Sequence, residues 1–161
     1  MKILGIDPGT AIVGFGLIET ERKNITYITS GVITTPKTWS DQKRLAQIHE
    51  DLKTLIKKHK PGVIALEKLF FTKNVSTGIT VAQARGVIML TAEEAGIRII
   101  ECSPQDVKMS VAGYGKADKK QVQKMVTQIL GLSSIPKPDD AADALAAAVS
   151  VTGRLKLAQY K

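Results

Sequence analysis

Four carboxylates stand out by their placement: Asp7, Glu67, Asp140 and Asp143. Asp7 closes the apolar start of ILGIDPGTAIVGFGL, just before Pro8-Gly9 breaks the strand with a sharp turn. Glu67 closes a second apolar run, VIALE, in the same way. Asp140 and Asp143 lie three residues apart in DDAADALAAAV, a spacing that puts both on one face of a helix. Asp140 falls in the first turn, where the helix dipole tolerates an anion. Asp143 is set deeper, among alanines and a leucine, where an unsatisfied carboxylate is costly. If the four meet, they must repel one another or share protons, and a divalent cation resolves that conflict. The donor set suits Mg²⁺, with Mn²⁺ as a substitute, and two such ions about 4 Å apart would activate a water and stabilise the leaving oxygen of a phosphodiester. Simpler readings compete: Asp7 as the cap of the Gly9-Thr10 turn, and Asp139 and Asp140 as N-terminal caps of the last helix. Capping accounts poorly for Asp143.

Cations and aromatics supply a second set. Phe70-Phe71 continues the Glu67 segment in a stretch that carries Lys68 and Lys73. Paired aromatics in a basic loop suit stacking on unpaired or strained bases, while one of the pair is expected to plug the core above the sheet. Lys108, Lys116, Lys119, Lys120 and Lys124 crowd the loop and helix between residues 106 and 128. Gly113 and Gly115 let that loop approach a phosphate closely. Lys120 and Lys124 read equally well as a solvated helix face, and Arg85 either contacts nucleic acid or pairs with a nearby acid. The net charge of +8, from 23 Lys and Arg against 15 Asp and Glu, favours a polyanionic partner, nucleic acid or an anionic membrane surface. A single cysteine, Cys102, excludes an internal disulfide and a Cys-rich zinc site, and its apolar neighbours make it a core residue. His49 and His59 lack metal-ligand spacing and are expected on the solvated surface.

The elements that must position these groups follow from periodicity. Strands are expected at the two sides of Pro8-Gly9 and over 25–33, joined by short links into an antiparallel meander. Ser40 caps a helix reaching residue 59, with Leu45, Ile48, Leu52, Leu55 and Ile56 on one stripe. A strand over 63–67, a helix over 76–95 and a strand over 97–101 make parallel crossovers. Small residues on the 76–95 helix, Ala82 and Gly86 among them, would let another helix approach closely. Asp118 and Gln121 read as a capping box for a helix ending at Gly131, with a stripe of Val122, Met125, Val126, Ile129 and Leu130. A final helix starts near Asp139 or Asp140 and runs to Gly153. The sum is an α/β architecture: a five-stranded mixed sheet, its first three strands antiparallel, with helices on both faces. At 161 residues, 43% apolar, with a mean hydropathy near zero, the chain suits one domain over 1–157 and a short tail over 158–161. The sequence has no leader-like opening and no apolar run long enough to span a membrane, so a cytoplasmic location is expected.

Four stretches carry a resemblance. IDPGTAIVGFGLIE, ALEKLFFTKNVSTGITVAQARG, DVKMSVAGYGKADKKQVQKMV and DDAADALAAAV together resemble the RuvC family of Holliday-junction resolvases, of the ribonuclease-H-like superfamily. The resemblance covers nearly the whole chain and implies a ribonuclease-H-like three-layer fold. It implies catalytic and metal-binding roles for Asp7, Glu67, Asp140 and Asp143, with i,i+3 spacing to Asp143 favouring Asp140 over Asp139. Phe70 would enter the opened junction, and Lys108 and Lys119 would contact DNA. The activity implied is paired, symmetrical nicking of four-way DNA junctions by a homodimer, in recombination and repair, together with a branch-migration motor. Three other readings stay open on the residues alone: an actin- or sugar-kinase-like nucleotide-binding domain, a non-catalytic junction-binding module, and an enzyme acting on RNA–DNA hybrids.

Overall fold

Aliphatic residues at alternate positions commit the first third of the chain to a sheet. A computed structural model describes residues 1–22, 24–69 and 75–158. Strand β1 (Lys2–Asp7) pairs antiparallel with β2 (Ile12–Glu21), which pairs antiparallel with β3 (Asn24–Thr34). Helix α1 (Asp41–His59) crosses over to β4 (Val63–Glu67), parallel to β1, and α2 (Val75–Glu94) leads to β5 (Arg98–Cys102), parallel to β4. The sheet order is β3-β2-β1-β4-β5. Four helices complete the described chain: α3 (Pro104–Ala112), α4 (Lys119–Ile129), α5 (Asp139–Ser150) and α6 (Thr152–Ala158).

The two-residue period of the strands sorts their side chains into two cores. Leu4, Ile6, Ile64 and Leu66 meet Ile48, Leu52 and Ile56 of α1 and Ala84, Ile88 and Ala92 of α2. Ile3, Val63, Ala65, Ile100 and Cys102 face the other way, onto Val111, Val126 and the buried run 144–149 of α5. The result is the expected three-layer α/β arrangement. Helix α5 is apolar nearly all round, as a helix enclosed by neighbours must be. It lies between the sheet and α3, α4 and α6. Among the described residues no helix is long and apolar enough to cross a membrane.

The meander, the crossovers, the Ser40 cap and the Asp118–Gln121 capping box all form as the sequence indicates. Several details differ. The segment holding Lys108 is helix α3 rather than loop, started by a Ser103–Asp106 capping box with Pro104 at its first turn. The last helix stops at Ser150, and α6 follows after Val151. Ile129 is exposed, and the buried Gln123 takes its place on the inner side of α4. His49 is half-buried, its Nδ1 2.8 Å from Thr91 Oγ1, because α2 packs over that side of α1. Cys102 is fully buried, as expected.

Candidate active site

Parallel pairing brings the first two acids together. Ile6 is in register with Leu66, so Asp7 and Glu67 leave the sheet side by side at the same end of adjacent strands. Strand alternation puts both on the face that carries α5, since Ile3 and Ala65 point there. Each strand end is held. The Lys68 amide donates to the Cys102 carbonyl at 2.8 Å, extending the β4–β5 ladder past Glu67. The Arg85 guanidinium on α2 donates to the Glu67 carbonyl and forms an ion pair with Glu101. After Asp7, Thr10 Oγ1 donates to the Thr80 carbonyl of α2 at 2.9 Å, and Thr35 Oγ1 donates to the Thr10 carbonyl at 2.6 Å. Arg44 Nε donates to Thr35 Oγ1 at 2.9 Å, tying α1 into the same chain of bonds. The turn that follows the catalytic candidate is thus fixed from three elements.

The other two acids arrive on α5 because the sheet beneath it lacks side chains. Asp7 pairs with Gly14, and Gly5 pairs with Gly16, so three glycines cluster on one face beside Asp7. A Cβ added at Gly14 would come to 2.5 Å from the Asp140 carbonyl carbon and 3.0 Å from its Cβ. One at Gly16 would meet the Leu145 nitrogen at 2.7 Å, and one at Gly5 the Ala148 nitrogen at 2.8 Å. Alanines on the helix and glycines on the strands allow backbone to rest on backbone. That contact lays the first turn of α5 across the end of β1 and β2. Pro138 occupies the N-cap and makes no side-chain cap bond, so neither Asp139 nor Asp140 is the capping residue.

Electrostatics confirm that the four carboxylates share one neighbourhood. Burial first, then the charges of Glu67, Asp143 and Asp140, push the Asp7 carboxyl up to about 7. Burial and Asp143 raise Glu67 in the same way, while Lys119 opposes both shifts. The donor chemistry, four carboxylates short of positive charge, fits a hard divalent cation. Among the described residues no three acids are yet drawn close enough around one point to hold it.

A pH dependence follows. Without metal, Asp7 keeps its proton to about pH 7 in the folded protein but loses it near 3.8 in the unfolded chain. The native state therefore binds more protons between those values, and stability falls as pH rises through them, by about 4 kcal/mol for a shift of this size. Thermal melts in EDTA should show Tm falling from pH 5 to pH 8, with a flatter profile in Asp7→Asn. Millimolar Mg²⁺ should raise Tm more at pH 8 than at pH 5. Identical pH profiles for the two proteins would show that Asp7 is not buried against other acids.

Beside Glu67 and Asp143 lies a cleft of about 260 Å³, lined by Lys108 and Lys119 and by apolar atoms of Pro104, Val107, Val122 and Ala146. Lys119 Nζ is 2.7 Å from Asp143 Oδ2 and 3.7 Å from Asp139 Oδ2. Gln123 Nε2 donates to Asp143 Oδ1 at 3.4 Å. Lys116 is exposed in the turn between α3 and α4, away from any ion pair recorded for Lys119. Arg85 takes the ion-pair alternative, with its side chain turned into the fold. Phe70, Phe71 and Lys73 lie outside the described residues. Gln123, Thr10, Thr35 and the three glycines were not apparent as site residues. The glycines carried a usable signal, since Gly14 and Gly16 alternate with apolar residues on β2, opposite Asp7 and Gly5.

The mixed five-stranded sheet, with carboxylates at the ends of two adjacent strands and on the helix across them, has a ribonuclease-H-like architecture. The family model described as "Crossover junction endodeoxyribonuclease RuvC" matches residues 3–151. A crossover junction endodeoxyribonuclease RuvC of Syntrophomonas wolfei is 50% identical over 160 residues, covering 99% of this chain and 93% of that protein. The RuvC structure of Thermus thermophilus superposes with a TM-score of 0.91 at 31% identity, over 98% of this chain and 97% of that one. The same protein in complex with a Holliday junction substrate gives a TM-score of 0.93 at 30% identity, over 98% and 96% of the two chains. The chain belongs to the RuvC family.

Proposed function

We propose that the chain is a structure-selective endodeoxyribonuclease that resolves four-way DNA junctions, in recombination and repair, by paired symmetrical nicks. The observation that carries this reading is the close fit, over nearly its whole length, to a RuvC bound to a Holliday junction. Asp7, Glu67, Asp140 and Asp143 are the residues that would hold Mg²⁺, two ions per site, with Mn²⁺ as a substitute. Bound there, the metal supplies an activated water and stabilisation of the leaving oxygen. The chain's own part is to hold the acids in place through the β1–β4 pairing, the glycine contact with α5 and the Arg85 grip on the Glu67 strand end. Asp139 stands outside the ligand set, supported by its exposure, 64% against 24% for Asp143. Lys108 and Lys119, which border the cleft beside Glu67 and Asp143, would meet the phosphate backbone, and Lys116 would add a further contact. Phe70 keeps the base-stacking role that the resemblance implies, with Phe71 and Lys73 in the same DNA-contacting stretch of sequence. Arg85 acts as a structural clamp rather than as a DNA contact.

The working unit is a homodimer, because two cuts related by the junction's symmetry need two sites related by a two-fold axis. Helix α2 supports this. Ile79, Leu90 and Met89 are exposed, and among the described residues nothing beyond its own helix lies within 4 Å of a Cβ built at Gly86. These positions form one stripe of helical spacing free for a partner helix. Leu90→Glu should give a monomer by sedimentation and lose paired cleavage; a dimer that cuts normally would move the interface elsewhere. The protein acts as a single domain, in the cytoplasm, together with a branch-migration motor. The direct test is a mobile four-way junction set against linear duplex, with Mg²⁺ and with EDTA. Paired nicks in the junction alone, and only with metal, are expected; equal cutting of linear duplex would overturn the reading.

A further inference from the structure

We propose that the Lys119 ammonium is the cation that the resting site holds in place of a divalent metal, and that metal loading moves it from Asp143 to the substrate phosphate. This rests on the metal-binding reading of the four acids. Both oxygens of Asp143 are engaged by α4: Oδ2 by Lys119 Nζ at 2.7 Å, and Oδ1 by Gln123 Nε2 at 3.4 Å. Each oxygen keeps a second lone pair for an ion, but an ion bound there brings its charge directly against that of the ammonium. Gln123 is buried at 5% exposure and fixed by packing, whereas the Lys119 side chain is 56% exposed on a four-carbon stem. Lys119 is therefore the partner that yields.

Its charge acts on the whole quartet rather than on Asp143 alone. It is the positive group that opposes the upward shifts of both Asp7 and Glu67. The hydrogen bond to Asp143 in turn favours the charged form of Lys119. One ammonium thus partly offsets the mutual repulsion of the acids when no ion is present. A divalent cation at the same acids repels that ammonium and competes with it for Asp143. The freed side chain stays at the mouth of the cleft it shares with Lys108, where a phosphate would lie. Release by metal and capture by DNA then reinforce each other, so metal and DNA each tighten binding of the other.

Calorimetric titration of Mn²⁺ into the DNA-free protein tests this. Lys119→Met should bind Mn²⁺ roughly fivefold tighter than wild type at low salt, the size expected when one competing ion pair is removed. Lys119→Arg, which keeps the charge and can still grip Asp143, should bind no tighter than wild type. Lys108→Met, which removes a charge from the same cleft but not from Asp143, should change affinity much less than Lys119→Met. Amine acylation read by mass spectrometry gives a second measure: Lys119 should label faster once Mn²⁺ is added, against a steady Lys124. Equal gains for Lys119→Met and Lys108→Met would reduce the effect to general charge and overturn the proposal. So would unaltered affinity in Lys119→Met, or Lys119 labelling indifferent to Mn²⁺. A wild-type protein that takes up no Mn²⁺ would instead overturn the metal reading of the acids, and this proposal with it.

Discussion

Asp7→Asn is expected to slow nicking of a four-way junction by roughly 10³-fold or more while leaving junction affinity within a few-fold. The two effects separate because Asp7 lies at the floor of the site. It ends the central strand β1, beside Glu67 and beneath the first turn of α5, and burial with its acidic neighbours pushes its carboxyl up to about 7. Asparagine keeps the shape and one oxygen but not the charge that would hold a metal. DNA affinity, by contrast, would come from the cations around the cleft, which the substitution does not touch. The same change should stabilise the metal-free protein at pH 8, because it removes a buried carboxylate repelled by its neighbours. Single-turnover cleavage, gel shift in EDTA and a thermal melt read the three effects. A variant that cuts at the wild-type rate in Mg²⁺ would remove Asp7 from the chemistry.

Gly14→Ala should cost about 2–3 kcal/mol of stability and, in the protein that remains folded, about 10²-fold in cleavage. The added methyl meets the backbone of Asp140, not the end of a flexible side chain, so no rotamer change makes room. Either α5 lifts or β2 sinks, and the distance between Asp7 and Asp140 changes with it. The decisive comparison is with Gly5→Ala, which presses on Ala144 and Ala148 in the middle of α5. Both should lower Tm, but Gly14→Ala should lose more activity per degree, because it acts at the end of the helix that carries the acids. Equal losses would mean that the glycines serve packing alone.

Asp7, Glu67 and Asp143 stood out in the sequence because each sits where structure alone gives it little reason to be: at a strand end, or on an alanine face. The sheet was legible because β1 and β4 are short apolar runs, β2 sets apolar residues against glycines, and the links of the meander are short. What escaped was of two kinds. Helix α3 was hidden by its position before Gly113 and Gly115, although the Ser103-Pro104 start and Asp106 formed a complete capping box. The side-chain bonds that fix the site join residues far apart in the chain, Thr10 with Thr35 and Thr80, Gln123 with Asp143, and Arg85 with Glu67 and Glu101. No local pattern encodes such pairs. The same holds for His49, whose partner Thr91 lies 42 residues away.

The way the arginines are used has a consequence for how DNA is held. Three of the five arginines, Arg44, Arg85 and Arg154, turn their guanidinium groups toward partners within the fold: Asp41 and Thr35, Glu101 and Glu67, Asp106 and Glu101. The cations on α3, on α4 and in the turn between them are all lysines. Lysine meets a phosphate as a point charge and lacks the planar fork with which arginine reads guanine. Association should then be driven mainly by counterion release, falling steeply as salt rises and discriminating little between sequences before the strand reaches the acids. Choice of where to cut is thereby left to the junction's shape and to the chemical step.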